Sequence, residues 1–112
     1  MTGDDVRRIA LSFPEAIEQE TWGHPTFRVR GKMFAAMDVT GTSASVKASI
    51  EAQAALVGSE PETFSVARYV GQHGWVSIDL RGVDPGEMAE LLEDAWRATA
   101  PKRVVAVHDA DG

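Results

Sequence analysis

The sequence predicts an α+β fold: a two-layer α/β sandwich with a mainly antiparallel sheet, helices on one face and the other sheet face open. Three observations support this prediction. Several short segments alternate apolar and polar residues, each has one apolar face, and they follow one another closely along the chain. Strands of this kind favour antiparallel pairing. Segments near both ends carry apolar residues at helical spacing, and such helices cover the apolar face of a sheet.

Composition limits the classes of function. The length fits a single domain over residues 1–112. The sequence has no cysteine, which excludes disulfides, zinc–thiolate sites and thiol nucleophiles. No stretch is apolar over the length of a membrane span, so we expect a cytoplasmic protein that does not contact membranes. The formal net charge of −6 argues against non-specific binding of nucleic acid, although residues 24–81 have a net charge of +1.

Two helices are predicted in the first half of the chain. Residues 4–13 place apolar side chains at helical spacing, and Pro14 ends this segment. Residues 50–58 form a second, short helix. Ser49 is its N-cap, and Gly58 occupies the position just after its last turn, where glycine is common.

The last predicted helix begins with Asp84 as N-cap and Pro85 at the first helical position. Its apolar stripe consists of Met88, Leu91, Leu92, Ala95 and Trp96. Residues 101–112 follow this helix. We expect them to form either an extra edge strand or a frayed tail.

The stretch "FRVRGKMFA" predicts a β-hairpin, but two turns are compatible with it. A type II′ turn at residues 31–32 pairs Val29 with Phe34 and keeps the apolar side chains on one face. A turn at residues 30–31 pairs Val29 with Lys32 and mixes the faces, so it is less favoured. Further strands are predicted at 33–39, 43–49, 63–70 and 75–80, with a loop at 71–74. Residues 16–27 alternate poorly, with a break at residues 23–25 before the next strand.

Catalytic and metal-binding signatures are scarce. The three histidines are scattered along the chain, and there is no nucleophile elbow or glycine-rich phosphate loop. We therefore expect no enzymatic activity, no cofactor and no metal site. A weak cation site on an acidic ridge is an alternative, although a solvated helix face explains the same residues, Asp4, Asp5, Glu15, Glu18 and Glu20.

The open sheet face is the most informative feature of the pattern. Strand alternation directs six side chains away from the helices: Arg28, Arg30, Ser45, Lys47, Trp75 and Ser77. Long cations beside an exposed aromatic ring can bind phosphates and stack bases. An ordinary solvated face gives a similar pattern, because arginine and lysine stems also cover aromatic surface. Trp22 is expected to pack at the margin of the sheet.

Four stretches resemble the MmcQ/YjbR-like family: "ALSFPEAIEQETWGHPTFRVRGKMFAAM", "SVKAS", "HGWVSIDL" and "MAELLEDAWRATA". The resemblance covers about residues 5–100. Its most specific points are Lys32, Lys47 and Trp75, and Gly31 also matches the family pattern. It implies an α/β sandwich related to frataxin-like (CyaY-like) and secretion-chaperone-like arrangements, together with DNA binding.

We therefore expect a small non-enzymatic binding protein with nucleic acid as its partner. The expected binding residues are Arg28, Arg30, Lys32, Lys47 and Trp75. One alternative is a protein-interaction or chaperone-like module that takes up a peptide on the open sheet or on an edge strand near residues 104–108. The other alternative is a weak metal-binding, frataxin-like protein.

Overall fold

A computed structural model describes residues 1–111. In this range the chain forms the helices α1 (Gly3–Ala10), α2 (Ile50–Ser59), α3 (Pro85–Thr99) and α4 (Lys102–Asp111). It also forms the strands β1 (Ala16–Thr21), β2 (His24–Val29), β3 (Lys32–Met37), β4 (Ser43–Val46), β5 (Phe64–Val66) and β6 (Val76–Asp79). A short 3₁₀ turn, Gly71–His73, joins β5 to β6.

The strands of residues 1–111 form one sheet in the order β1-β2-β3-β4-β6-β5, and every neighbouring pair is antiparallel. This confirms the predicted α+β fold and its antiparallel sheet. The prediction missed β1, because residues 16–27 alternate poorly and were not assigned to a strand before the break at residues 23–25. Four of the six residues of β1 are polar and they fall on both faces, Glu18 and Glu20 on one and Gln19 and Thr21 on the other, so no alternation reveals the strand.

One face of the sheet packs against the helices. The fully buried side chains of the core come from both layers and include Val6, Phe27, Phe34, Val46, Ile78, Met88, Leu92 and Trp96. The indole of Trp96 stacks on Phe13, with ring centroids 5.6 Å apart, and its Nε1 donates to the carbonyl of Pro14 at 3.1 Å. These contacts join the end of α1 to α3. The predicted apolar stripe of the last helix is thus confirmed.

The β2–β3 hairpin uses the turn that the sequence disfavoured. Arg30 and Gly31 form the two-residue turn, with φ of +53° and +80°, and Val29 lies opposite Lys32. Phe27 pairs with Ala35, whereas Arg28 pairs with Met33, so Phe34 is the extra residue of a β-bulge. The bulge lets two successive residues of β3, Phe34 and Ala35, face the core, and both are fully buried. A strictly alternating strand pattern cannot predict this change of register.

The helix ends confirm two predictions and correct two others. The side chains of Ser49 and Asp84 accept hydrogen bonds from the backbone at the starts of α2 and α3, as predicted. Gly58 lies inside α2, which continues to Ser59. Residues 102–111 form helix α4 instead of an edge strand or a frayed tail. Val104 is buried against the core, and this contact stabilises α4.

None of the helices formed by residues 1–111 is long and apolar enough to cross a membrane.

Candidate functional site

We call the sheet face turned away from the core the open face. Its centre is a row of directly opposed residues on six strands: Gln19, Thr26, Ala36, Ser45, Ser77 and Ser65. Directly opposed residues share a face. Ala44 and Val46, which flank Ser45 on β4, are buried in the core. This middle row therefore faces away from the core, and Ser45 and Ser77 lie on the open face as predicted.

Arg28 is a firmly held cation on the open face. It lies between two fully buried residues of β2, so its side chain points away from the core. Its Nε, Nη1 and Nη2 donate to Thr26 Oγ1, Gly31 O and Thr21 Oγ1, at 3.3, 3.1 and 3.2 Å. A guanidinium has five N–H groups. One N–H on each terminal nitrogen therefore remains for an anion.

Lys47 lies near Arg28 on the same face. Its backbone N–H donates to Phe34 O at 3.0 Å, which continues the pairing of β4 with β3. Alternation with the buried Val46 directs the Lys47 side chain to the open face, where it is half-buried. Arg28 and Lys47 flank the same end of β3, so two strand spacings, about 10 Å, separate their backbones.

The register of β4 and β6 places Lys47 beside Trp75, because Val46 lies opposite Val76 in this antiparallel pair, and a close contact next to it holds the two segments together. Gly74 has a φ of +101°, and a Cβ added there would lie 2.1 Å from the carbonyl oxygen of Ala48. Position 74 therefore accepts only glycine without distortion. On the other side of this contact, the buried Gln53 donates from Nε2 to Gly71 O at 2.7 Å and to the carbonyl of residue 75 at 2.8 Å.

Trp75 was predicted to present its ring to solvent, but the structure buries it. It lies on the open-face side of β6, but it is only 7% exposed and does not belong to the main core. Its indole N–H makes no hydrogen bond within residues 1–111. In that range every buried polar side-chain atom does have a hydrogen-bond partner, so the indole nitrogen is not fully buried. The N–H must therefore reach the surface. Trp75 can offer a hydrogen bond, but it offers no free face on which a base could stack. Alternation predicts where a side chain points and not what covers it.

Two of the predicted basic residues do not join this site. Arg30 lies in the β2–β3 turn and forms a bidentate pair with Glu15, with Nη2 3.1 Å from Oε2. The hydrogen bonds from Arg30 lower the pKa of the Glu15 carboxyl. Lys32 lies opposite the buried Val29 and so shares the core-side face, at its exposed end. The structure brings together Arg28, Lys47 and the N–H edge of Trp75.

A trough of about 430 Å³ lies at the other end of the open face. Its lining includes Trp22, His24, Ala36, Asp38, Ser45 and Ser77. Trp22 was expected to pack at the sheet margin, but it is 96% exposed. It occupies the first position of the two-residue β1–β2 turn and is followed by Gly23. The sequence did contain a signal for this turn: the dipeptide Trp-Gly, because glycine is typical of the second position of such two-residue turns.

Asp38 organises one edge of the trough. Partial burial of this carboxyl raises its pKa, but hydrogen bonds outweigh that effect and lower the pKa to about 2. The donors are the hydroxyls of Thr40 and Thr42 and the backbone N–H groups of Thr42 and Ser43. They belong to the β3–β4 connection and to the first residue of β4. Asp38 therefore fixes this loop, and its oxygens are already occupied.

Replacing Asp38 by Asn should make the protein less stable at neutral pH, by about 1–2 kcal/mol. The folded-state pKa of Asp38 lies below its unfolded value, so its stabilising contribution is present above about pH 4 and is lost as the pH falls towards 2. Urea denaturation at several pH values tests this expectation. The variant should lose less stability than the wild type between pH 4 and pH 2, and equal losses would contradict the assigned role.

The acidic ridge gives no support to metal binding. Within residues 1–111, no group of three or more His, Asp or Glu side chains is placed to hold a metal ion. Four of the five acids considered are ion-paired with arginines instead. The pairs are Arg7 with Asp4 and Glu18, Arg8 with Asp5, and Arg30 with Glu15.

The comparisons with known proteins agree with this fold. No curated protein matches the sequence. Among solved structures, the chain is similar to the Deinococcus radiodurans protein DR2400, a DUF419 domain, with a TM-score of 0.80 and 24% sequence identity. The match covers 87% of this chain and 77% of that one, and at this identity it shows a shared fold. The YjbR family model matches residues 11–98, which include the six strands β1–β6, helix α2 and nearly all of α3. The chain belongs to the YjbR (MmcQ/YjbR-like) family.

Proposed function

We propose that this chain is a non-enzymatic binding protein that takes a short single-stranded segment of nucleic acid on its open face. One observation carries the proposal: Arg28 and Lys47 lie on that face, and neither is ion-paired within residues 1–111. Five other arginines each have a carboxylate partner: Arg7, Arg8, Arg30, Arg81 and Arg97. The hydrogen bonds of Arg28 go to uncharged oxygens, so no carboxylate balances the charge of either half-buried cation, and a bound phosphate would supply the missing charge.

A single strand fits this face better than a duplex does. Two cations can contact only a few phosphates, and the net charge of −6 opposes the broad electrostatic contact that duplex binding uses. The middle row and the trough provide hydroxyl groups and His24 as hydrogen-bonding partners. Such groups can read base edges that only an unpaired strand exposes.

A protein partner on the open face is the second hypothesis. Ile17 on β1 lies opposite Arg28 and is 52% exposed, so an apolar side chain adjoins the unpaired cation. An acidic peptide with an apolar residue would complement this pair. The edge strand once expected near residues 104–108 is part of α4 and gives no support to strand addition there. This hypothesis would be favoured if the chain retained a protein partner at high salt concentration and bound no oligonucleotide.

The proposal is tested by fluorescence anisotropy with a labelled single strand and the matching duplex, at several salt concentrations. We expect the single strand to bind more tightly. Two phosphate contacts predict a slope of log affinity against log salt of about −1.4 for single-stranded nucleic acid. Flat titrations in low salt at high micromolar protein would overturn the proposal, and so would preferential binding of the duplex.

A further inference from the structure

We infer that Trp22 is a stacking platform for a nucleobase at the mouth of the trough. This inference rests on the proposed function, because the base would belong to the strand whose phosphates contact Arg28 and Lys47. It adds Trp22 to the binding surface formed by Arg28 and Lys47. It also assigns the chemical class of ligand, a planar heteroaromatic ring.

The first argument is the cost of the conformation that Trp22 adopts. Trp22 and Gly23 have φ of +50° and +85°, the combination found in type I′ turns. Asn, Asp and Gly are favoured at the first central position, whereas a bulky side chain there is a conformational outlier. The indole is also 96% exposed, so it gains no packing in return. Neither turn preference nor stability explains a tryptophan here, which favours a role in binding.

The second argument is the surface beside the ring. Small residues, Ala36, Ser45 and Ser77, line the trough and leave space above the sheet beside the indole. His24 adds a ring nitrogen near Trp22. A ring stacked on the indole would therefore meet hydrogen-bonding groups at its edge, which suits a nucleobase better than an aliphatic side chain.

The third argument is the distance between this trough and the basic residues. His24 and Arg28 are four residue steps apart on β2, about 13 Å along an extended strand. A few nucleotides of single strand span such a distance. One strand could thus place phosphates at Arg28 and Lys47 and a base on Trp22 at the same time.

Tryptophan fluorescence tests this arrangement directly, because Trp75 and Trp96 are 7% and 0% exposed and Trp22 is the exposed tryptophan. The probes are twelve- and four-nucleotide oligothymidylates and thymidine monophosphate. We expect both oligonucleotides to quench the red-shifted emission and the mononucleotide to do so only at much higher concentration. Equal quenching by the mononucleotide would overturn the assignment to a strand and indicate a free nucleotide as the ligand. An absence of quenching by all three would overturn the stacking site.

Trp22→Asn is the decisive variant. Asn-Gly is a preferred type I′ pair, so the substitution should raise the melting temperature while it removes the indole. Loss of binding could then not be attributed to unfolding. We expect about tenfold weaker binding of the twelve-nucleotide strand, with the salt dependence unchanged and partial rescue in Trp22→Phe. Wild-type affinity in Trp22→Asn would overturn the inference alone. A wild-type protein that binds no strand would overturn the proposed function as well.

Discussion

Replacing Arg28 by Ala should weaken the binding of a single-stranded oligonucleotide about tenfold or more. A hydrogen bond to a charged group contributes about 1.5–3 kcal/mol. Three neighbouring acceptors hold this guanidinium in place, so little entropy is lost when it binds a phosphate. Anisotropy titrations measure the affinity, and urea denaturation shows whether the variant is folded. Unchanged affinity in a folded Arg28→Ala protein would remove this residue from the site.

Arg28→Lys separates charge from geometry at the same position. Lysine keeps the positive charge but cannot hold the fixed fork of the guanidinium. We expect an affinity between those of the wild type and Arg28→Ala, with a salt slope close to that of the wild type. An affinity equal to that of the alanine variant would mean that directional hydrogen bonds, more than charge, determine the contact.

Replacing Gly74 by Ala should destabilise the protein by about 2–4 kcal/mol. The positive φ is strained for any residue with a Cβ, and the added carbon would overlap the carbonyl oxygen of Ala48 at 2.1 Å. Relief of that overlap must move the segment that carries Lys47 or the one that carries Trp75. The free energy of unfolding from urea titrations measures the effect.

Gly58→Ala is the matched control for this substitution. Gly58 lies inside α2, and a Cβ there would have no neighbour within 4 Å. The same chemical change should therefore stabilise the protein, by about 0.5–1 kcal/mol, because alanine favours the helix. If both variants lost stability equally, the close contact at Gly74 would not be the cause.

The fold was predictable where one physical preference dominated. The apolar stripe of α3 and the caps Ser49 and Asp84 required only local patterns, and the structure confirms them. The strand β1 was missed because an edge strand need not have an apolar face buried against the core. Helix α4 was missed because its short apolar run fits a strand or a helix equally well, and contact of Val104 with the core decides between them.

The site was predictable in part for similar reasons. Alternation along β2 and β4 correctly directed Arg28 and Lys47 to the open face. Lys32 was expected at the site from the family resemblance, but the turn at Arg30 and Gly31 places it opposite Val29 on the core side. Alternation failed for Arg30 because a turn residue with positive φ leaves the strand pattern. The burial of Trp75 depends on tertiary contacts that no local pattern contains.

The most direct test of the open face as the binding surface compares Lys47→Ala with Lys32→Ala. Both substitutions remove one positive charge, and neither lysine is ion-paired within residues 1–111. Only Lys47 lies on the open face. We expect Lys47→Ala to weaken single-strand binding several-fold and to reduce the salt slope by about 0.7, while Lys32→Ala stays within about twofold of the wild type. Equal losses in the two variants would indicate attraction by net charge alone, and wild-type affinity in Lys47→Ala would contradict binding on the open face.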